Sequence, residues 1–277
     1  PSYFTSFIPY QNFDANAYHG GEIGITFRQK IGDFSFSIGA NALYVNSKVK
    51  KKDELYSESY RNRTGKPVDA RFGLVADGLF NDQSDIQNHS LQAFGTVKPG
   101  DIKYIDQNSD GVIDANDEVQ IGRTQAPFSY GLNLRLSYKN FSLMARGNGR
   151  SGADGILSND YFWVDGDDKY SAYVLNRWTE STKATATFPR LSSLANTNNH
   201  RASTFWQYRD NYFNLDRVQL TYQIPESLTR RLTMRYFSLF ADASNLLMMS
   251  KNKDVKQLNI GSEPQYRSFS LGLNASF

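Results

Sequence analysis

Cysteine is absent from this sequence, which removes disulfide scaffolds and thiolate-ligated zinc from consideration. Histidine is scarce: His19, His89 and His200 lie far apart without metal-ligand spacing, and read as ordinary loop or strand residues. Long apolar runs are missing and mean hydropathy is low, so helical membrane spans are excluded. A transmembrane barrel is not excluded, because half of each of its strands faces water. Neither sign of charge dominates: 31 Lys and Arg are mixed with 28 Asp and Glu, which leaves no nucleic-acid footprint. No catalytic arrangement stands out, so an enzyme is not expected. Gly147-Asn-Gly149 with Gly152 resembles a phosphate loop only superficially, since it follows a strand with no helix pattern behind it. The chain begins at Pro1 without an initiator Met or a signal segment, so the expectation is a mature form or a piece of something longer.

What is abundant is aromatic: 19 Phe and 17 Tyr, many of them in segments that alternate apolar and polar residues. In Arg267–Phe277, Phe269, Leu271, Leu273, Ala275 and Phe277 fall on one face and Ser268, Ser270, Gly272, Asn274 and Ser276 on the other. About ten such residues cross a bilayer when the strand tilts. The pattern recurs in Ile23–Arg28, Phe34–Tyr44, Leu132–Lys139, Phe141–Arg146, Arg217–Ile224 and Phe237–Ser244. Seven strands are expected, with an eighth near Tyr3–Tyr10.

The connections are lopsided. Gly32-Asp33, Lys139-Asn140 and Pro225–Met234 are short; Ser47–Ala126, Ser151–Asn211 and Met248–Pro264 are long. Short and long alternate strictly, as the periplasmic turns and extracellular loops of an outer-membrane barrel do. Phe72–Phe80 looks strand-like, but as a spanning strand it would invert everything after it. It is therefore placed inside the first long loop, followed by one helical turn over Asn81–Asn88.

Within that loop, Asp106-Gln-Asn-Ser-Asp-Gly-Val-Ile-Asp-Ala-Asn-Asp117 matches a calcium-loop template. Asp106, Asn108 and Asp110 would supply three oxygens, the Val112 carbonyl a fourth, Asp114 a direct or water-mediated fifth, and Asp117 would close the shell. Gly111 permits the sharp turn, and Ile113 pins the loop. A solvated Asp/Asn turn without an ion is the alternative. The expected role of calcium is structural.

In the second long loop, Tyr161, Phe162 and Trp163 with Asp165, Asp167 and Asp168 form an aromatic–acidic cluster. Ligand or partner contact by Tyr161, Trp163 and Asp165 competes with a packed loop core; Trp178 and Trp206 invite the same two readings. Lys48, Lys50, Lys51 and Lys52 read as a solvated flank at the outer end of a strand, with lipid headgroups or a lipoprotein as alternative contacts. Tyr212, Tyr222 and Tyr236 fit an aromatic girdle.

Several segments together resemble the C-terminal part of the SusC/RagA family of TonB-dependent outer-membrane transporters. They are Gly65–Val68 with Gly73–Phe80, Gly100–Asp114, Ile121-Gly122, Pro127–Leu134, Arg177-Trp178-Thr179, Phe188–Leu191, Tyr212–Pro225, Ala243–Leu246 and the terminal Phe277. The resemblance spans residues 18–277 in the family's order. It implies a segment of about seven or eight strands of a 22-stranded antiparallel transmembrane β-barrel, located in the outer membrane of Bacteroidota. It further implies energy-dependent import of oligosaccharides or peptides with a SusD-like surface lipoprotein. The chain departs from the family in extent: the plug, through which TonB acts, and the remaining N-terminal barrel are not in it. Two other readings remain open: a self-contained eight-stranded outer-membrane barrel with a structural or adhesin role and calcium-stiffened loops, and a soluble secreted β-protein that binds calcium and carbohydrate.

Overall fold

The computed structural model describes residues 12–260 and 262–277. In chain order, β1 (Ala15–Ile31) and β2 (Phe34–Lys51) form a first hairpin. Short strands β3 (Ala70–Gly73), β4 (Ala76–Leu79), β5 (Leu91–Gln92), β6 (Ile102–Tyr104), β7 (Val112–Ile113) and β8 (Val119–Arg123) occupy the excursion after it. A second hairpin, β9 (Phe128–Tyr138) and β10 (Phe141–Ser151), precedes β11 (Asp154–Ile156) and β12 (Gln207–Arg209). Then come β13 (Tyr212–Gln223), β14 (Tyr236–Met249) and β15 (Ser268–Ser276). The helices are short: α1 (Gln83–Gln87), α2 (Glu226–Thr229) and α3 (Lys253–Leu258).

The long strands make one sheet in the order β1-β2-β9-β10-β13-β14-β15, and each antiparallel neighbour is the next long strand along the chain. This is the seven-stranded up-and-down meander that the alternation predicts. The sheet is open, with β1 and β15 as edges among the described residues. The strand expected near Tyr3–Tyr10 lies outside them.

Register converts alternation into two chemically different faces. Phe27, Ile38, Leu134, Ala145, Val218, Ala243 and Phe269 stand side by side across all seven strands. One residue along, the adjacent row on the other face is Arg28, Ser37, Arg135, Met144, Gln219, Asp242 and Ser270. The apolar row is not buried against protein; Phe27 is 55% and Phe269 73% exposed. An apolar face of this extent left in water is unfavourable at about 25 cal/mol per Å² and calls for cover by hydrocarbon or by another protein surface.

Aromatic rings border this face at both ends. Phe34, Tyr138, Phe141 and Tyr222 are neighbours at the short-turn rim, where the Phe141 and Tyr222 rings lie 4.6 Å apart. At the opposite rim stand Tyr44, Phe128, Tyr130 and Phe213, with Tyr130 stacked on Phe213 at 6.1 Å. The Tyr130 and Phe213 rings pass over Gly149 and Gly147, where any Cβ would collide with them. That packing explains Gly147 and Gly149 of the run that resembles a phosphate loop; Gly152 instead takes φ 96° with Pro127 against it. Phe128 and Tyr138 bound β9, so the belts lie about 33 Å apart along the strand, or about 25 Å after a barrel strand's usual tilt. This is the height of the apolar band of an outer-membrane barrel.

Of the expected girdle residues, Tyr222 lies in a belt, whereas Tyr212 and Tyr236 share the polar parity. For Tyr212 the cause is a β-bulge at Asp216, where the register of β13 shifts against both neighbours. Uninterrupted alternation from Val218 would carry Asp216 and Tyr212 to the apolar face. The extra residue sends Leu215 and Phe213 there instead, and Asp216 reaches Arg146 on the polar face at 2.7 Å.

The short connections are where alternation places them. Gly32 and Lys139 take positive φ (59° and 52°) at the first turn position, as tight hairpins matched to strand twist require. The third short connection holds α2. β2 runs to Lys51, so Lys48, Lys50 and Lys51 belong to the strand and the first excursion begins later than Ser47.

The three long excursions fold together as a cap on one rim. Leu74, Ile102, Tyr104 and Ile113 from the first pack with Phe162, Val164, Val174, Phe188 and Trp206 from the second, and Ile260 from the third packs against them. Strand pairs β3–β8, β4–β6, β5–β7 and β11–β12 frame this core. Phe72–Phe80 thus forms local structure within the first excursion, in β3 and β4. α1 falls in the expected segment, capped by the Asp82 carboxylate accepting from the Asp85 amide at 2.9 Å.

Candidate functional site

The polar face of the sheet is concave and lines a groove of about 830 Å³ across β1, β2, β9 and β10. Thr26, Arg28, Lys30, Ser35, Ser37, Asn133, Arg135 and Ser137 stand along it because they alternate with the apolar rows. At its edge Arg146 donates to Asp216, and further round Arg217 donates to Asp242 at 2.5 Å. The groove wall is thus hydroxyl-rich and cationic.

In the cap, the loop of Asp106–Asp117 is ordered by its own side chains. Asp106 accepts the amides of Ser109 at 2.7 Å and Gly111 at 2.9 Å, plus the Ser90 hydroxyl at 3.0 Å. Asn108 accepts the Asp110 amide at 3.1 Å, and Asp110 accepts that of Val112 at 2.8 Å. Gly111 takes φ 85°, which its lack of a Cβ allows. Leu91 and Ala93 bind the carbonyls of Gly111 and Ile113, and strand alternation turns the Val112 carbonyl to the other edge. Desolvation raises the Asp106 pKa, but the bonds from Gly111, Ser90 and Ser109 outweigh it and hold the carboxyl below its usual range.

Asp117 behaves differently from the template. It is fully buried, and its oxygens accept the amides of Gln107 and Asp114, each at 2.7 Å. Asp114 accepts the Asn116 amide at 2.6 Å, which completes a capping box with Asp117. The first half of the loop therefore has the shape a cation site needs, whereas Asp117 is engaged in closing the loop itself. Among the described residues no group of three or more His, Cys, Asp or Glu is drawn together to hold a metal.

The aromatic–acidic cluster divides in two. Phe162 is buried in the cap core, and Trp163 stacks on His200 with ring centroids 5.5 Å apart and planes 2° off parallel. Asp165 accepts the Asn196 amide at 3.2 Å and sits 3.5 Å from His200 Nδ1. Burial pushes the His200 pKa down, against the pull of Asp165 and Asp168. Tyr161 instead lines a shallow groove of about 560 Å³ between the second and third excursions, with Tyr173, Asn176, Asp254 and Gln257. Trp178 and Trp206 lie in the buried interior.

Sequence reasoning passed over the knot that ties the cap together. Asp101 is fully buried, with Arg190 Nε 2.9 Å from one of its oxygens. It accepts the Lys98 amide at 2.7 Å and the side-chain amides of Asn196 at 2.8 Å and Asn199 at 2.9 Å. Asp69 plays a similar part nearer the sheet, taking Arg123 at 2.9 Å and the Ser47 hydroxyl of β2 at 3.1 Å.

Comparison with known proteins bears on what this arrangement is. No family model matches the chain. It is 26% identical over 244 residues to TonB-dependent receptor P26 of Formosa agariphila, covering 81% of the chain and 24% of that protein. With TonB-dependent receptor P3 of the same organism it shares 24% identity over 233 residues, 78% of the chain and 23% of that protein. In fold it is similar to the RagAB peptide transporter, with a TM-score of 0.71 at 19% identity over 99% of the chain and 31% of that structure's chain. The RagAB peptide importer in its open-open state gives a TM-score of 0.74 at 20% identity, over 99% of the chain and 30% of that structure's chain. The chain spans about a quarter of the length of the curated relatives it matches.

Proposed function

The chain being SusC/RagA-like, with the sheet of a TonB-dependent transporter barrel, we propose that it forms the C-terminal part of the barrel and outer loops of an outer-membrane nutrient importer. The carrying observation is the sorting of the molecule: an apolar face between two aromatic belts, a polar concave face, and all three long excursions folded on one rim. In this reading strands missing from the chain close the barrel against the edges of β1 and β15. A plug elsewhere in the protein couples it to TonB. A SusD-like surface lipoprotein sits on the cap, and the cargo is an oligosaccharide or a peptide. Tyr161, beside Tyr173 in the groove between excursions, is the residue of the aromatic–acidic cluster best placed to touch cargo or lipoprotein. The test is made on the full-length protein in its host. Fractionation should place it in the outer membrane, and deleting its gene should abolish TonB-dependent uptake of one nutrient class, restored by complementation. Recovery in the soluble fraction, or unchanged uptake of every glycan and peptide tried, would sink the reading.

The calcium assignment belongs to the same reading. Asp106, Asn108, Asp110, the Val112 carbonyl and Asp114 would hold the ion, and Asp117 would keep the loop closed around it. The ion would stiffen the cap beside Ser90 and β5. Isothermal calorimetry should find binding at about 0.1–1 mM, the range of extracellular modules. Asp106→Ala and Asp110→Ala should each abolish it, and calcium should raise the melting temperature of wild type alone. Equal heats from wild type and variants would reject the site.

A further inference from the structure

His200 brings a titratable ring into the tightest corner of the cap. Its side chain is 19% exposed, and the ring lies flat on Trp163. On its inner side it shares a cavity with Phe162, Val164, Phe188, Trp206 and Arg190. The free space there is about 10 Å³, no more than one water needs, so a charged ring gains little hydration. Asp165 and Asp168 favour the charged ring, and Arg190 opposes it. Asp165 stands 3.5 Å from Nδ1, at the long limit of a hydrogen bond, and the same oxygen already accepts the Asn196 amide at 3.2 Å. Asp168 is exposed, so water screens its pull. Arg190 is a like charge lining the same cavity, tied to Asp101 behind it. Arg201, next in the chain, turns to the face of Phe94 at 4.3 Å. All of this enclosure is supplied by the chain's own residues.

We propose that His200 is a pH-sensitive latch: neutral, it keeps the turn of residues 196–200 docked in the cap, and protonated, it releases that turn from Asp101. The turn moves as a unit, because the His200 amide donates to the Asn196 carbonyl at 3.1 Å. Within it, the side-chain amides of Asn196 and Asn199 donate to Asp101. The Asn199 side-chain oxygen accepts the Ile102 amide at 2.8 Å, and its main-chain carbonyl accepts the Trp206 indole at 2.7 Å. A ring that leaves for water to keep its proton therefore pulls on the bonds joining the first excursion to the second. Burial outweighs the two carboxylates and lowers the His200 pKa from its ordinary 6.5. Well above pH 6.5 the ring is neutral whether the turn is docked or open, and nothing is lost. As the pH falls through 6.5 the open turn takes up the proton first, so docking weakens until the docked ring titrates as well.

Hydrogen exchange is followed on the full-length protein in detergent from about pH 7.5 to about pH 5.5, corrected for the intrinsic pH dependence of exchange. Opening of residues 190–206 and of β6 should grow as the pH falls, by at most about ten-fold, the limit for one proton over the unit below its ordinary pKa. His200→Gln, neutral across the range, should exchange alike at both ends. Asp165→Asn keeps an oxygen for the Asn196 amide but removes the charge that favours the imidazolium. Its opening should therefore grow more with acidity than that of wild type, a test that holds even where His200→Gln does not fold. His89→Gln, which alters the other histidine of the cap, should respond as wild type does. Exchange of 190–206 that is flat with pH, that tightens with acidity, or that loosens equally in His200→Gln overturns the latch. So does an Asp165→Asn response no larger than wild type, or one that vanishes in His89→Gln. Loosening spread evenly over β9 and β10 marks general acid unfolding and overturns it too.

Discussion

Asp101→Ala is expected to melt the cap and leave the sheet assembled. Asp101 is fully buried and receives hydrogen bonds from Lys98, Asn196 and Asn199 as well as its ion pair with Arg190. Removing one partner of a buried pair typically costs about 3–5 kcal/mol, because the other charge stays desolvated and unpaired. Here two buried side-chain amides are stranded as well. The loss is concentrated where the first and second excursions meet. It therefore competes with the stability of the cap alone, since small folded units are stable by only about 5–15 kcal/mol. The sheet's ladder does not pass through Asp101. Hydrogen exchange on wild type and variant in detergent should show lost protection in β4, β6 and around Trp178, with β9, β10 and β13 unchanged. Limited proteolysis should then cut within residues 70–125 or 155–205. Asp77→Ala is the control: that side chain is 63% exposed and meets Lys103 at 3.6 Å, so protection should stay at wild-type level. Unaltered cap protection in the Asp101 variant would show that the knot does not hold the cap.

The contrast between cap and sheet also marks what a single sequence discloses. A strand advertises itself with a period of two over its own residues, so Phe269 to Phe277 or Phe34 to Tyr44 can be read without knowing their neighbours. Sorting of short and long connections then orients them. The cap has no such local signature. Asp101 meets Asn196 and Arg190 across about ninety residues of sequence, and each of the three looks like an ordinary loop residue alone. Likewise Tyr212 changes face because one residue, Asp216, bulges from the ladder, and strict alternation carries no sign of that insertion. The calcium template was legible as spacing, but spacing does not say where the Asp117 oxygens turn; they turn to the amides of Gln107 and Asp114. Tyr161 and Trp163 sit two residues apart in sequence, yet one lines a groove and the other stacks on His200.

A pair of adjacent substitutions on β9 should separate the two faces by the full strength of the bilayer. Leu132 lies mid-strand on the apolar face, 45% exposed, between Ala40 and Gly147. Asn133 lies next to it on the polar face, between Gly39 and Arg146. Arginine on the lipid face near the midplane of a barrel costs about 2–4 kcal/mol. A lumen position has water, and the added repulsion from Arg146 is that of a cross-strand like-charge pair, below about 1 kcal/mol. Leu132→Arg in the full-length protein should therefore lower the urea midpoint for unfolding from phospholipid vesicles markedly, and Asn133→Arg should barely move it. In detergent, where the micelle deforms around a charge, the gap should narrow. A soluble sheet predicts another pattern: an exposed leucine replaced by arginine costs within about 0.5 kcal/mol, and the two variants would behave alike. If the two midpoints coincide in vesicles, the apolar face does not meet lipid, and the exposure of Phe27, Ile38 and Leu132 must be relieved by another protein surface instead.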